Sequence, residues 1–396
     1  MHSGRVTADV LPATTSAPGT GTEYQQRITA LRQRMSAAGI AVLAVSSPEN
    51  IYYLTGLDHM GYFAFTLLVV PGSGQPLLVT RAMECPTVHD QVPWCRHLTF
   101  GDGEPPASAA ASAIAAAAAP GDTVALDDES MFFPPAVAGA IRRRLPGRRW
   151  RSGSGLLAAQ RSVKSPAEIA CMRQAASICD RALAAGLAVA RPGASERTVA
   201  AGIYRAMIEA GGQLPGFPPM IRPLSLLSQE HVSWSDRALQ RGTGLFIELS
   251  ASVRRYHAPQ SRTVYLGDVP EGAAGAAEAA LAGLAAAREA LRPGALTGEV
   301  YAAWQRAVAG SAVPAWPLRH HCGYLVGIGF PPSWVGGGEV LGIRAGGTTE
   351  VVPGMTFHLM SWVTQPAGHV ISDTALVTAT GTELLTTTPR ELTVIG

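Results

Sequence analysis

The sequence predicts an α/β (α+β) chain of two folded units, an α/β domain followed by a domain with internal pseudo-two-fold symmetry. Three observations carry this expectation. Helical and strand periodicities alternate from Tyr24 to about Gly155. Beyond that point a pattern of helix, turn, helix and strands occurs twice, marked by Arg191-Pro192-Gly193 and again by Arg292-Pro293-Gly294. A length of 396 residues with 47% hydrophobic content suits about two to three domains with substantial cores.

Residues 1–21 are rich in Ser, Thr, Pro and Gly, lack a continuous apolar run, and are expected to form a flexible tail and not a secretory signal. The first domain, residues 22–155, opens on an amphipathic stretch over Glu23–Gly39 with Ile28, Leu31 and Met35 at helical spacing. Ile40–Ser47 reads as a buried strand, and Phe65–Thr80 as two strands joined by a Gly-Ser turn. A helix over Ala109–Ala118 precedes a strand at Thr123–Asp128, and a short helix leads into the basic run Arg142–Arg151. That run is read as a solvated face, with an anionic site as the alternative.

The second domain, residues 156–396, starts on a helix signal. Ser165-Pro166-Ala167-Glu168 places Ser at the N-cap, Pro at the first helical position and Glu where a capping box needs it. The helix runs through Ile169, Met172, Ala176 and Cys179 to the first Arg-Pro-Gly, and a second helix follows Ser195 and ends at Gly211-Gly212. The device recurs as an Ala-rich helix, the second Arg-Pro-Gly, and a helix capped by Thr297. Strand-rich segments follow each pair, Leu245–Gly267 in the first copy and Met355–Val363 with His369–Gly381 in the second. Two such copies imply one shared sheet with a cleft where the halves face each other.

Composition excludes several classes. Charged residues are 15% of the chain, against about 25% in an average soluble domain, and 31 basic nearly cancel 29 acidic residues. A balance of that kind lacks the basic face of a phosphate-tracking protein, so no nucleic acid partner is expected. The longest apolar runs, Phe63–Val70 and Ala107–Ala119, are too short to span a bilayer, and no membrane partner is expected. Five scattered cysteines without a Cys-x-x-Cys pair argue against a disulfide framework or a zinc knuckle and favour a cytoplasmic compartment. Cys171 and Cys179 read as small core residues.

The order of elements, together with the phrase Asn50-Ile51-Tyr52-Tyr53-Leu54-Thr55-Gly56, resembles the creatinase/prolidase/methionine aminopeptidase superfamily along nearly the whole chain from Tyr24 onward. The resemblance implies a creatinase-type N-terminal domain, with Asn50–Gly56 as a strand entry, followed by a pita-bread catalytic domain. Metallopeptidases of this superfamily bind two metals through two Asp, one His and two Glu, a donor set that suits Mn, Co, Fe or Zn and activates a bridging water. By resemblance the first Asp falls on Glu248 and the second on Pro259, ahead of Arg262-Thr263. The His falls on Tyr324, in Gly323-Tyr324-Leu325-Val326-Gly327; the two Glu fall on Met360 and on Ser372 or its neighbour Asp373. At most two of the five positions keep a carboxylate, and Pro and Met cannot replace one for a hard divalent ion. No metal and no other cofactor is therefore expected in the site.

Creatinase looks like a metal-free member, and three phrases here are similar to those of ectoine hydrolases, which open a cyclic amidine carrying a carboxylate. They are Tyr256-His257-Ala258-Pro259 with Ser261-Arg262-Thr263, Gly323-Tyr324 with Gly327-Ile328-Gly329-Phe330-Pro331-Pro332 and Trp334, and Gly354-Met355-Thr356-Phe357-His358. In the first domain Asp58–Phe63 departs from the pattern, although it is where pocket residues would be supplied.

Glu248 sits in the apolar strand Leu245-Phe246-Ile247-Glu248-Leu249, where a lone carboxylate is costly without a partner. It is read either as a nucleophile or amidinium anchor, or as the ion-pair partner of Arg262. His231, seventeen residues earlier, matches the superfamily's acid/base His, and its neutral-range imidazole serves both halves of a proton transfer. Tyr256 and His257 are expected to bind substrate or support the site, and Tyr324 to donate a hydrogen bond in the cleft. His358 and Met360, two apart in a strand, share a face. His320 fits the superfamily phrase better than His321, Trp334 is expected in a lid or wall, and Arg262 and Asp373 complete the substrate-binding set.

The expectation is a metal-independent hydrolase acting on a C–N bond of a small, polar, cyclic amidine or lactam-like substrate, with His231 and Glu248 catalytic. A metal-free lyase on a small amino-acid derivative and a non-catalytic peptide-binding protein are the alternatives. Resemblance also implies a homodimer in which Tyr53–Phe63 approach the partner's pocket.

Overall fold

The computed structural model describes residues 21–311, 319–336, 340–365 and 367–396. The expected tail thus lies outside the described residues except for Gly21. Helix α1 (Gly21–Ala37) buries Ile28, Leu31 and Met35 as the spacing predicts. The first sheet contains β1 (Val42–Val45), β2 (Leu67–Pro71), β3 (Leu77–Arg81), β4 (Arg96–Phe100), β5 (Thr123–Leu126) and β6 (Arg149–Ser152), in the order β4-β3-β2-β1-β5-β6. Helix α2 (Pro48–Thr55) occupies the phrase expected as a strand entry. Ser47 precedes Pro48 at the helix start and Gly56 closes the last turn at φ +83°, so start and stop signals outweigh the β-formers Ile51, Tyr52 and Tyr53. Helices α3 (Cys85–Gln91), α4 (Pro106–Ala115) and α5 (Pro135–Arg144) connect the strands.

Helix α6 (Ser154–Ser162) leads from β6 toward the second unit. There, α7 (Pro166–Val189) opens on the expected capping box: the Glu168 amide donates to Ser165 Oγ at 3.3 Å and the Ser165 amide to Glu168 Oε2 at 2.8 Å. Helix α8 (Glu196–Glu209) is capped by Ser195. Their counterparts are α9 (Ala273–Ala290) and α10 (Thr297–Ala309). Thr297 does not cap α10; Leu296 holds that position and the Thr297 hydroxyl is buried without a partner among the described residues. Both Arg-Pro-Gly turns end on a glycine at φ +85°, Gly193 and Gly294, a left-handed backbone that explains the recurrence of Gly there.

Among the described residues the second sheet has nine strands. They are β7 (Met220–Pro223), β8 (Thr243–Val253), β9 (Tyr256–Leu266), β10 (His321–Leu325), β11 (Gly342–Arg344), β12 (Thr356–Val363) and β13 (His369–Val377), with β14 (Thr382–Leu384) and β15 (Thr393–Ile395) at the side. The main path runs β11-β10-β12-β13-β9-β8-β7. The hairpins β8–β9 and β12–β13 are the two half-domain repeats, joined at Ser372 opposite Ser261. Alternation assigns the faces. Phe357, Leu359 and Ile371 pack on the core beneath α9 and α10, and Leu245, Ile247 and Leu249 on the core beneath α7 and α8. Glu248, His358, Met360 and Trp362 therefore point away from the helices.

The tip of the β8–β9 hairpin touches the first domain. Arg254 and Arg255 adopt φ +49° and +66°, a turn backbone that side-chain-bearing residues enter at a cost. Contacts hold it: Arg255 Nε donates to Asp58 Oδ1 at 2.9 Å, its guanidinium stacks 4.4 Å from the Phe330 ring, and Tyr52 Oη donates to the Arg254 carbonyl. Among the described residues no helix is long and apolar enough to cross a membrane.

Candidate active site

One row of the sheet lays out the floor of the cleft. Met220, Glu248, Ser261, Ser372 and Met360 are successive cross-strand neighbours on β7, β8, β9, β13 and β12. Directly opposed residues project to the same face. Over this row lies a pocket of about 410 Å³, lined from the floor by Met220, Glu248 and Met360, walled by Phe217, Trp334 and Trp362, and also reached by His231, His320 and Tyr324.

Glu248 is 8% exposed, and no described residue hydrogen-bonds to it. Burial pushes its carboxyl up to about 7, against the pull of the nearby Arg319 and Arg222 cations. Its nearest charged or chargeable partner is His358, with Nε2 3.8 Å from Glu248 Oε1, beyond hydrogen-bond range. A group so placed changes protonation near neutrality, which suits acid/base or nucleophilic work.

His358 is held instead by a chain of hydrogen bonds. The Trp334 indole N–H donates to Tyr324 Oη at 3.0 Å, and Tyr324 Oη lies 2.8 Å from His358 Nδ1. His358 Nε2 lies 2.7 Å from Ser372 Oγ, which donates to Ser261 Oγ at 2.8 Å. An indole can only donate, so Tyr324 Oη accepts from Trp334 and donates its own O–H to His358 Nδ1, and the imidazole proton sits on Nε2. Burial drives the His358 pKa down to about 3, so the ring is neutral.

The five positions that the resemblance assigns to ligands can now be placed in the sheet. Glu248, Pro259, Met360 and Ser372 share the cleft face by alternation, and Tyr324 pairs with His358 on that face. Asp373, the other carboxylate, lies on the opposite face and accepts from Arg262 at 2.9 Å, Arg390 at 2.6 Å and Thr386 at 2.8 Å. Glu248 is thus the one carboxylate of the set in the cleft, and His358 has both nitrogens occupied. These donors do not fit a dinuclear site for hard divalent ions.

Four residues expected to bind substrate lie elsewhere. Arg262 pairs with Ile247 on the helix side and donates to Asp373 and to the carbonyls of Ser372, Thr388 and Pro389. It cannot partner Glu248, and with Asp373 it locks the C-terminal segment to the sheet. Tyr256 donates to Glu168 Oε1 at 2.8 Å, behind the cleft. His257 is fully buried: Nε2 accepts the Gly216 amide at 2.8 Å and Nδ1 donates to the Arg255 carbonyl at 2.9 Å. It positions the loop that carries Phe217.

His231, exposed at the pocket mouth, stacks on Phe217 at 6.0 Å, and Phe217 meets Trp334 edge-on at 4.7 Å. His320 and His321 both line the pocket; His320 is the exposed one, while burial and the Arg319 cation push His321 down to about 4. Sequence reasoning missed the pair that joins these two loops. Arg319 donates both terminal nitrogens to Glu230 at 2.8 Å, stacks 4.2 Å from the Trp362 ring and holds Glu230 below the usual carboxylate range. Both residues adjoin a named His, but a pairing across such sequence separation has no local signature. Arg222 was also missed: fully buried, it lies 4.5 Å from the Phe246 ring, with no hydrogen-bond partner among the described residues.

The profile of the creatinase/prolidase N-terminal domain matches residues 27–163, and that of metallopeptidase family M24 matches residues 170–379. The chain is 30% identical to ectoine hydrolase of Halomonas elongata over 95% of its own length and 98% of that protein. It is 33% identical to an uncharacterized hydrolase/peptidase of Sinorhizobium fredii, covering 94% of this chain and 97% of the relative. The prolidase structure from Thermococcus sibiricus superposes with a TM-score of 0.84 over 94% of this chain and 99% of that one, at 21% identity, which is a likeness of fold. With its creatinase-type N-terminal domain and pita-bread second domain, the chain belongs to metallopeptidase family M24 and is a hydrolase of that family.

Proposed function

We propose that the protein is a metal-independent hydrolase that opens a small cyclic amidine of the ectoine type. The observation that carries this reading is the donor set: of the positions that the resemblance assigns to metal ligands, Glu248 alone keeps a carboxylate on the cleft face, and the others there are Pro259, Tyr324, Met360 and Ser372. The similarity to ectoine hydrolase of Halomonas elongata supports the substrate class.

An amidinium brings what the pocket lacks. Its N–H groups supply hydrogen-bond donors to Glu248, to which no described residue donates, and its positive charge draws the carboxyl below its free value of about 7. The ionised Glu248 oxygen adds to the electron-poor amidinium carbon. The tetrahedral adduct breaks its bond to one ring nitrogen as His231 protonates that nitrogen. Loss of that nitrogen leaves Glu248 as an imidoyl ester. Water attacks the imidoyl carbon and gives a proton back to His231. The adduct collapses by breaking its bond to the Glu248 oxygen, which releases an open-chain amide with a free amine; one water is consumed. An amidinium is electrophilic without a Lewis acid, whereas a peptide carbonyl is far less so.

The deciding assay offers the chelator-treated enzyme ectoine, hydroxyectoine and a Xaa-Pro dipeptide in parallel. Ring opening of a cyclic amidine, with the dipeptide untouched, is the expected result. Dipeptide cleavage that appears on adding manganese or cobalt would overturn the reading.

A further inference from the structure

A second cluster of donors lies far from Glu248 in sequence, on the edge of the first sheet. Cys85 and His89 are one turn apart on α3, and His97 is on β4, the edge strand. One ligand atom from each of the three falls within 4.8 Å of the others. From these residues we infer a Zn²⁺ site with one thiolate and two imidazole ligands and an open fourth position.

Three features support it. Zinc–sulfur and zinc–nitrogen bonds of about 2.3 and 2.0–2.1 Å at a tetrahedral angle put S and N about 3.5–3.6 Å apart. Cys85 Sγ stands 3.6 Å from His89 Nε2 and 3.8 Å from Nδ1, so that edge is already formed. His97 is oriented from behind: Thr80 Oγ1 donates to the Arg81 carbonyl at 3.0 Å and so accepts the His97 Nε2 proton at 2.8 Å. This leaves the Nδ1 lone pair free to ligate, the arrangement in which a hydrogen bond on the far nitrogen fixes a metal-binding imidazole. Finally, a mixed thiolate and imidazole set selects zinc over magnesium, calcium or manganese.

The ion would brace α3. Gln91, at the end of that helix, exchanges two hydrogen bonds with the Asp58 backbone, at 2.7 and 2.9 Å. The loop that begins at Asp58 reaches the second domain through Arg255 and through the Tyr62 hydroxyl on the Pro331 carbonyl. A zinc ion here leaves the Glu248 pocket without metal, so this inference is independent of the proposed reaction.

The test is zinc titration of the full-length, chelator-stripped, reduced protein by calorimetry, with cobalt as a spectroscopic probe. One equivalent of zinc should bind, raise Tm and protect Cys85, the one cysteine of the five that is not buried, from alkylation. Bound cobalt should show a thiolate charge-transfer band. Cys85→Ser, His89→Ala and His97→Ala should each remove the stoichiometric site, and Thr80→Val should weaken it about 10- to 100-fold. Glu248→Gln should bind zinc as the parent does. No binding at micromolar zinc, undiminished binding by Cys85→Ser, or binding lost in Glu248→Gln but kept in Cys85→Ser would each overturn the assignment.

Discussion

Glu248 and His358 face each other across 3.8 Å without a hydrogen bond, because Ser372 takes the His358 Nε2 proton at 2.7 Å. The buried imidazole therefore neither neutralises the carboxylate nor competes with a ligand for it. Glu248→Gln keeps the shape of the side chain and removes its charge and nucleophilicity. We expect turnover to fall by about 10⁴-fold, with the fold intact. His231→Ala should cost about 10² to 10⁴-fold, the usual worth of a positioned acid or base. Single-turnover rates and circular dichroism on the same samples check both. A folded Glu248→Gln protein of unchanged rate would remove Glu248 from the chemistry.

The raised carboxyl of Glu248 has a signature in stability. Held at about 7 against an ordinary 4.5, it binds a proton more tightly in the folded than in the unfolded chain. Its stabilising contribution is complete below pH 4.5 and is lost as pH rises through about 7. The loss amounts to about 3 kcal/mol at most. Glu248→Gln has no such slope, so its Tm should gain on that of the parent as pH rises across this window and hold that gain above it. Parallel Tm–pH curves for the two proteins would count against a buried, proton-binding Glu248.

Tyr324→Phe removes the hydroxyl between Trp334 and His358. The indole N–H and His358 Nδ1 both lose their partner inside a buried wall, at a cost of about 1–3 kcal/mol. Thermal unfolding should show that loss. Imidazole nitrogen NMR should report the Nε2–H tautomer of His358 in the parent and a mixture in the variant. The same tautomer in both proteins would mean that Tyr324 does not set it.

The fold was legible in the sequence because its signals are local. The Ser165–Glu168 capping box, the paired Arg-Pro-Gly turns and the alternation in β12 and β13 each depend on residues close in the chain. The resemblance implied a strand entry at Asn50–Gly56, whereas Pro48 and Gly56 bracket a helix there despite the β-formers Ile51, Tyr52 and Tyr53. In the site, the positions of Glu248, Met360 and Ser372 followed from the resemblance to the superfamily's phrases. Which face Asp373 takes did not, since a one-residue ambiguity in register moves a side chain through the sheet. The Glu230–Arg319 pair and the Trp334–Tyr324–His358 chain join loops and strands that only folding brings together.

Homodimerisation is expected through the loop after α2. Met60 is 51% exposed, Phe63 76% and Met83 64%, and Gly61 packs against the side chain of Glu84, the neighbour of Met83. Tyr53 is not available for this contact: it is buried, with the Arg27 guanidinium 4.2 Å from its ring. Light scattering should give the dimer mass, and Phe63→Glu combined with Met83→Glu should shift the protein to monomer and lower turnover. A fully active monomer at micromolar concentration would contradict this.

Arg262 is the control for the assignment of Glu248, because the sequence allowed the two to pair and the structure places them on opposite faces. Arg262 is 4% exposed, and its guanidinium satisfies Asp373 together with four carbonyls of the sheet and the C-terminal segment. Arg262→Met keeps much of the aliphatic length and deletes those donors. Asp373 then retains Arg390 and Thr386 but loses its most buried cation. Breaking a buried pair by removing one partner costs about 3–5 kcal/mol, so Tm should fall steeply and the segment from Thr386 to Arg390 should exchange its amide protons faster. Turnover per folded molecule should stay near that of the parent, since Glu248 and His231 keep their surroundings. The two variants thus separate cleanly, Arg262→Met losing stability and Glu248→Gln losing chemistry. An Arg262→Met enzyme that is fully folded yet inactive would return Arg262 to the catalytic site and undo the face assignment from which the site was built.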